Sequence, residues 1–143
     1  MKSDQPEERD VRGGERILLV EDDQAVRTVT ERALRRFGYE VISATCGEEA
    51  LQVAGTVTEV DLLLTDIMMP GMNGVQVAAQ IARVYPGIRI FYMSGYADQD
   101  LIREGLLTPG TRFLQKPFSP MELVSEIRAI LDEPASSRPE EEA

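Results

Sequence analysis

Residues 62–74 read LLLTDIMMPGMNG, an apolar run that meets an acid and then a loop. Three consecutive leucines are typical of a strand that is covered on both faces of a sheet. The strand is predicted to end at Thr65-Asp66, and the pairs Pro70-Gly71 and Asn73-Gly74 mark the loop that follows. A helix comes next, since apolar residues recur at three-to-four spacing over 75–85. The stretch therefore predicts a strand, loop and helix, with an aspartate at the carboxyl end of the strand.

The same unit recurs along the chain. Short apolar runs predict four further strands, at 16–20, 40–44, 88–93 and 113–115. Amphipathic patterns predict four further helices, at 24–37, 47–54, 98–107 and 121–131. Strands that alternate with helices imply an α/β fold, with a parallel sheet covered by helices on both faces. Such sheets bind their ligands beyond the carboxyl ends of the strands.

The length of 143 residues suits one domain, which is predicted over 15–133. Residues 1–14, rich in charge, are expected to form a flexible linker, and residues 134–143 a disordered acidic tail. No segment approaches the roughly 20 apolar residues of a membrane span. The N-terminus also lacks the apolar core of a secretory signal. We therefore expect a cytoplasmic domain with no membrane contact, and its single cysteine fits a reducing compartment.

Charge and composition exclude several classes of function. The 15 basic residues are outnumbered by 25 acidic ones, and the net charge of −10 argues against direct binding of nucleic acid. Histidine is absent, which excludes a histidine-based catalytic triad, a histidine metal site and phosphorylation on histidine. Any chemistry must therefore use carboxylates, hydroxyls, lysine or the backbone.

Polar residues follow four of the five predicted strands, at the edge where the carboxyl ends meet. They are Glu21, Asp22 and Asp23 after the first strand, Asp66 after the third, Ser94 after the fourth and Lys116 after the fifth. Clustered carboxylates repel one another unless a cation lies among them, and a metal ion and Lys116 are both candidates. Ligands that are all oxygen favour Mg²⁺. An ionised Asp66 is a competent nucleophile toward a phosphoryl group, and Ser94 and Lys116 can stabilise the charge that develops.

Four motifs carry a resemblance to a known family. They are ILLVEDD at 17–23, LLLTDIMMPGMNG at 62–74, MSGYAD at 93–98 and FLQKPF at 113–118. Each motif alone is unspecific, but together and in this order they resemble the receiver domain of two-component response regulators, over about 16–132. The resemblance implies a flavodoxin-like (βα)5 fold whose five-stranded parallel sheet has the order 2-1-3-4-5.

The resemblance also implies roles for the residues at the strand ends. Asp66 matches the phosphoacceptor. Asp22 matches the acidic ligand of Mg²⁺, with Glu21 as its acidic neighbour, and the backbone carbonyl of Met68 matches the third protein ligand. Lys116 matches the lysine that pairs with the phosphoryl group, before a Lys116-Pro117 bond that is often cis in the family.

Three further positions concern the response to phosphorylation. Ser94 matches the hydroxyl residue that bonds a phosphoryl oxygen, and Tyr96 borders the phosphoryl pocket. Phe113 occupies the aromatic switch position, but it lacks the hydroxyl of the tyrosine that is common there. Glu21 also departs from the family, where aspartate is commoner. Thr108-Pro109 is predicted to shorten the fourth helix and so to alter the usual signalling face.

The implied function is that of a phosphoacceptor signalling domain rather than an enzyme, with a histidine kinase or histidine phosphotransfer domain as donor. One alternative is a Mg²⁺-dependent phosphohydrolase of the haloacid dehalogenase type. Such an enzyme normally has a second aspartate two residues after its nucleophile, where this chain has Met68. A pseudo-receiver that only binds partners is a second alternative, but it would lack Asp66 or Lys116.

Three contexts are compatible with the implied receiver. These contexts are a stand-alone regulator, the receiver of a larger response regulator and the C-terminal receiver of a hybrid histidine kinase. The chain has no room for a DNA-binding output domain beside the receiver, since neither terminal segment is expected to fold alone. The motifs RGGERILLVEDD and FLQKPFSPMEL look most like those of hybrid-kinase receivers.

Overall fold

The computed structural model describes residues 11–134, without the side chains of residues 98 and 99. Five parallel strands form one sheet in the order β2-β1-β3-β4-β5, which confirms the predicted fold and strand order. The strands are β1 (Arg16–Val20), β2 (Glu40–Ala44), β3 (Leu62–Asp66), β4 (Arg89–Ser94) and β5 (Phe113–Gln115). The helices are α1 (Gln24–Arg36), α2 (Gly47–Ala54), α3 (Gly74–Val84), α4 (Asp98–Arg103) and α5 (Pro120–Asp132). Among the described residues, no helix is long and apolar enough to cross a membrane.

The central strand β3 sends side chains into two core layers, because successive residues of a strand point to opposite faces. Leu62 and Leu64 pack in a layer with residues of α1 and α5, whereas Leu63 packs in a layer with residues of α2 and α3. All three are fully buried, and complete burial of a leucine side chain stabilises the fold by roughly 1.5–3 kcal/mol. The same alternation places Asp66 on the side of α1 and α5.

Side-chain caps determine where three of the helices begin, because each satisfies a backbone amide that has no partner within the helix. The Asp23 carboxylate accepts a hydrogen bond from the amide of Val26 at 3.0 Å at the start of α1. Asn73 and Ser119 cap α3 and α5, each in a reciprocal arrangement with the residue three positions later. These caps anchor α1 and α3 directly beside the strand ends that precede them.

Helix α4 ends at Arg103, whereas the sequence pattern predicts a helix to residue 107. The cause is Gly105, which has a φ of 79° and ends the helix before the Thr108-Pro109 pair. Its amide donates to the Ile102 carbonyl at 3.0 Å, and the amide of Leu106 donates to the Leu101 carbonyl at 2.9 Å. This pair of bonds is the Schellman arrangement, in which a glycine closes a helix.

Residues 11–14, which the sequence pattern assigns to a flexible linker, pack against the folded unit. Val11 is 2% exposed and lies in the core layer of α1 and α5. The Tyr39 hydroxyl donates to the Val11 carbonyl at 2.9 Å, and the Gly13 amide donates to the Phe37 carbonyl at 3.1 Å. The folded unit therefore includes these residues. The rest of the predicted linker, 1–10, and the predicted tail over 135–143 lie outside the described residues.

Arg128 of α5 holds this N-terminal region through a two-point ion pair with Glu15. Its two terminal nitrogens lie 3.1 Å from Oε1 and 2.6 Å from Oε2 of that carboxylate. The hydrogen bond from Arg128 holds the pKa of Glu15 below its usual value, against the opposing effect of burial. Paired guanidinium and carboxylate groups of this geometry are stronger than neutral hydrogen bonds.

We expect Glu15→Gln to lower the free energy of unfolding at pH 7 by about 1–2 kcal/mol, because Arg128 loses its charged partner. A carboxylate whose pKa is lowered by folding stabilises the protein above its unfolded pKa, and this contribution is lost as the pH falls through the folded pKa. Urea unfolding of wild type and variant at pH 7 and at pH 3 should therefore show a difference that shrinks in acid. Glu104→Gln, at an exposed position, is the control. A difference that does not depend on pH would contradict the assignment.

Candidate functional site

Three carboxylates meet where β1 and β3 end side by side. The ladder between these strands extends to Val20 and Thr65, so the residues that follow both strands share one edge. One carboxylate oxygen from each of Glu21, Asp22 and Asp66 lies within 4.8 Å of the other two. Glu21 and Asp66 are buried, whereas Asp22 is exposed at the mouth of the cluster. The structure thus brings together three of the four acids that the sequence pattern places at this edge, whereas the fourth, Asp23, caps α1 instead.

Lys116 supplies a positive charge inside this cluster. Its ammonium nitrogen lies 2.7 Å from Oε2 of Glu21 and 3.2 Å from Oδ2 of Asp66. Its backbone amide donates to the Ser94 carbonyl at 2.8 Å, which ties the end of β5 to the end of β4. Burial lowers the pKa of Lys116, but the bond to Glu21 and the charge of Asp66 together outweigh burial and raise it. The lysine therefore remains charged, and its bond to Pro117 is cis, as the resemblance implies.

Glu21 is turned inward and is fully buried. Its Oε1 atom accepts from the amide of Asp23 at 3.1 Å, while its other oxygen accepts from Lys116. Burial raises the pKa of Glu21, although both of these hydrogen bonds act in the opposite direction. Arg27 adds a contact that the sequence analysis missed, since its guanidinium donates to the Glu21 carbonyl at 2.8 Å. An arginine four residues after the helix cap at Asp23 was the available signal.

Asp66 is 6% exposed, which leaves a small opening to solvent at the strand end. Burial raises the pKa of its carboxyl group, and the charge of Asp22 adds to this effect. Lys116 opposes both by its charge and its hydrogen bond, but it does not cancel them. One lysine is therefore insufficient for three neighbouring carboxylates. Because all three acids offer oxygen atoms as metal ligands, the arrangement fits a hard divalent cation such as Mg²⁺.

The remaining predicted positions differ in how far they are exposed. Ser94 is almost fully buried, and its hydroxyl oxygen accepts from the amide of Tyr96 at 3.0 Å, which leaves the hydroxyl hydrogen for an acceptor in the site. The side chains of Tyr96 and Met68 are exposed. Phe113 is partly buried against the core layer of α2 and α3, opposite Tyr92 on β4.

Gly74 is a residue of the site that the sequence analysis treated only as a loop signal. A β-carbon at this position would lie 2.2 Å from the carbonyl oxygen of Asp66, closer than any real contact of that kind. The amide of Gly74 donates to the Ile67 carbonyl at 2.8 Å, so α3 begins against the backbone of the central acid. The Asn73 cap followed by glycine was the signal for this close approach.

Comparisons with known proteins place the chain among similar domains. Residues 17–128 match the model of a family described as the response regulator receiver domain. The sensor kinase CckA of Brucella abortus is 36% identical over 124 residues, which are 86% of this chain and 13% of that protein. The response regulator receiver protein CpdR of the same organism is 34% identical over 116 residues, which are 81% of this chain and 96% of that protein.

A solved structure extends the likeness to the fold. The receiver domain of the hybrid histidine kinase CckA superimposes with a TM-score of 0.69 at 36% identity, over 82% of this chain and 99% of that one. The chain spans about half the length of several other curated relatives. These are transcriptional regulatory proteins of Bacillus subtilis, and the match covers 48–52% of their length.

We expect Asp66→Asn to raise the free energy of unfolding of the metal-free protein at pH 7 by about 1 kcal/mol, since folding disfavours the ionised form of this carboxyl group. A carboxyl group whose pKa is raised by folding destabilises the protein as the pH rises from the unfolded-state pKa through the folded-state pKa. Asparagine does not ionise, so it removes this effect. Thermal unfolding in EDTA would measure the change. Asp23→Asn is the matched control, because it removes a charge at the same edge but retains a helix cap. If Asp66→Asn were less stable than wild type, the hydrogen bond between Asp66 and Lys116 would outweigh the repulsion between Asp66 and Asp22.

Proposed function

Since the chain belongs to the family of response regulator receiver domains, we propose that it receives a phosphoryl group on Asp66 from a phosphohistidine donor and relays the event as a change of conformation. The observation that carries the proposal is the position of the Lys116 ammonium between Glu21 and Asp66, at a strand edge that Asp22 also faces. A fixed positive charge beside a largely buried carboxylate with a small opening to solvent suits the transfer of an anionic group.

The transfer uses groups of this chain on three sides of the phosphorus. An oxygen of the Asp66 carboxylate attacks, a P–O bond forms, and the P–N bond to the donor imidazole breaks, with its electron pair passing to the imidazole nitrogen. Lys116 stabilises the negative charge of the transferring group on one side. The hydroxyl of Ser94, whose oxygen is held by the amide of Tyr96, can donate its hydrogen to a phosphoryl oxygen on another.

A divalent cation belongs to the same proposal. Bound Mg²⁺ neutralises charge on the acids and on the phosphoryl group. We assign its binding to the carboxylates of Asp22 and Asp66 and to the backbone carbonyl of Met68. Glu21 acts beside this site, because Lys116 and the Asp23 amide already occupy one oxygen each. Water molecules would supply the remaining ligands, because Mg²⁺ usually keeps several of them.

A phosphohydrolase is the weaker proposal, because the thioether of Met68 cannot serve as the general acid that such an enzyme needs two residues after its nucleophile. A partner-binding pseudo-receiver is also weaker, since Asp66 and Lys116 are both present and in contact. We accordingly propose a signalling domain with a histidine kinase or histidine phosphotransfer domain as its partner. The expected cytoplasmic location and the expected lack of direct nucleic-acid contact belong to the same proposal.

The wider protein context is supported from two sides. The similarity to a receiver domain of a hybrid kinase, CckA, favours a receiver that acts with a kinase in one chain. The similarity to CpdR, which is matched over nearly its whole length, favours a regulator that consists of the receiver alone. We propose the hybrid-kinase context, because the N-terminal and C-terminal motifs of the receiver look most like those of such proteins.

We expect incubation with acetyl phosphate and Mg²⁺ to add one phosphoryl group to the wild-type chain, because acetyl phosphate carries the same transferable group as a phosphohistidine. Intact-mass spectrometry would detect the addition. Asp66→Asn should abolish it, whereas Asp61→Asn, which removes an aspartate at the opposite edge of the sheet, should leave it intact. Equal labelling of wild type and Asp66→Asn would contradict the assignment of the acceptor.

We expect Asp22→Asn to weaken Mg²⁺ binding by at least about tenfold, because a direct carboxylate ligand is lost. Glu21→Gln should weaken it less, since Lys116 and a backbone amide hold the Glu21 side chain in the folded protein. Isothermal titration with MgCl₂ would measure both affinities, with Asp23→Asn as the control for loss of nearby charge. A larger loss for Glu21→Gln than for Asp22→Asn would reverse the proposed ligand assignment.

A further inference from the structure

The N-terminal strap, which we define as residues 11–15, is built into the domain at the edge of the sheet where the strands begin. Its first residue, Val11, is buried in the core layer of α1 and α5. Gly13 lies so close to its surroundings that an added β-carbon would be 2.5 Å from Arg128 and 2.6 Å from the ring of Tyr39. The carbonyl of Glu15 accepts from the amide of Glu40 at 3.0 Å. The strap is therefore docked by specific contacts at Val11, Gly13 and Glu15.

Arg128 is the centre of these contacts, and it belongs to α5. Its Nη1 atom donates to the Arg12 carbonyl at 3.3 Å, to the Tyr39 hydroxyl at 3.3 Å and to Glu15 at 3.1 Å. Its Nη2 atom donates to Glu15 at 2.6 Å and to Asp132 at 2.9 Å. The side chain is only 16% exposed, which makes its position depend on that of the helix. One arginine thus joins the strap, the start of β2 and the last turn of α5.

The other end of α5 is attached to the candidate phosphoryl site. The helix cap Ser119 follows Lys116 by three residues, and Lys116 is fixed between Glu21 and Asp66. The helix has 13 residues and a length of roughly 20 Å, at 1.5 Å per residue. Its inner face is fully buried at Leu123, Val124 and Ile127, and a close-packed interior of this kind transmits strain. One packed helix therefore lies between Lys116, which precedes it, and Arg128 in its C-terminal half.

We propose that the N-terminal strap is an output element, which reports the state of the Asp66 site through α5 and Arg128. The proposal rests on the proposed function, because it is the phosphoryl group that changes the partners of Lys116. A phosphoryl group adds negative charge beside Asp66 and draws the ammonium away from Glu21, its nearer partner in this structure. The end of α5 follows Lys116, and the strap contacts at Arg128 rearrange. By linkage, loosening the strap alters the affinity of the site for a phosphoryl analogue by the same factor.

The test measures amide hydrogen exchange of residues 12–15 by NMR, with and without beryllofluoride and Mg²⁺, while ¹⁹F NMR reports beryllofluoride binding. We expect exchange in the strap to change by about fivefold or more on binding in wild type. Arg128→Gln should remove the response, and Arg128→Lys should retain part of it. Arg32→Gln, at an exposed position on α1, is the matched control and should respond like wild type. Bound beryllofluoride with unchanged strap exchange would overturn the proposal.

A second arm separates this proposal from the proposed function. Lys116→Met removes the link from the segment before α5 to both acids without any added anion. This variant should therefore change amide exchange in the strap by itself. The change should be absent in the double variant that also carries Arg128→Gln. Circular dichroism would verify that each variant is folded. If ¹⁹F NMR detects no bound beryllofluoride, the proposed function fails and the Lys116→Met arm decides the strap alone. An unchanged strap in that arm would overturn the coupling through α5.

Discussion

The contact between the Lys116 ammonium and two buried carboxylates is the interaction on which the rest of this structure depends. Glu21 and Asp66 lie at the ends of neighbouring strands, where burial and mutual repulsion disfavour their charges. The lysine arrives from β5 and reaches both of them. This contact requires β1, β3 and β5 to end at one edge, which is what a parallel sheet of this strand order provides. It also leaves negative charge in excess at this edge, where Glu21, Asp22 and Asp66 face one lysine.

The backbone around the acids is as specific as the charges themselves. Helix α3 begins against the carbonyl of Asp66, an approach that only a residue without a side chain permits at Gly74. The Asn73 and Asp23 caps begin α3 and α1 on either side of the cluster. Two of the loops of the site are therefore held by the helix starts that follow them, in addition to hydrogen bonds of their own such as that from the Asp23 amide to Glu21. The site therefore combines a buried acid, Asp66, with exposed neighbours such as Asp22 and Tyr96.

A second ionic cluster lies at the opposite edge of the sheet, and α5 joins the two. Lys116, four residues before the start of this helix, pairs with carboxylates in the candidate site, and Arg128 in its C-terminal half pairs with Glu15 and Asp132. Both clusters combine a partly buried cation with two acids, so both are sensitive to small displacements of the helix. The fold thus connects its chemical edge to its N-terminal strap through one rigid element, without use of the short α4.

Local pattern alone determined the strands, most helix limits and three of the four acids expected at the site, because apolar periodicity and cap residues act within a few positions of the chain. The three leucines of β3 and the acids at 21, 22 and 66 needed no tertiary information. Only the tertiary structure decided that residues 11–14 pack, since Val11 and Gly13 find their partners on Tyr39 and α5, far along the chain. It also decided that Glu21 turns inward to Lys116, because a side chain's partner depends on which elements the fold brings together and not on its neighbours in sequence.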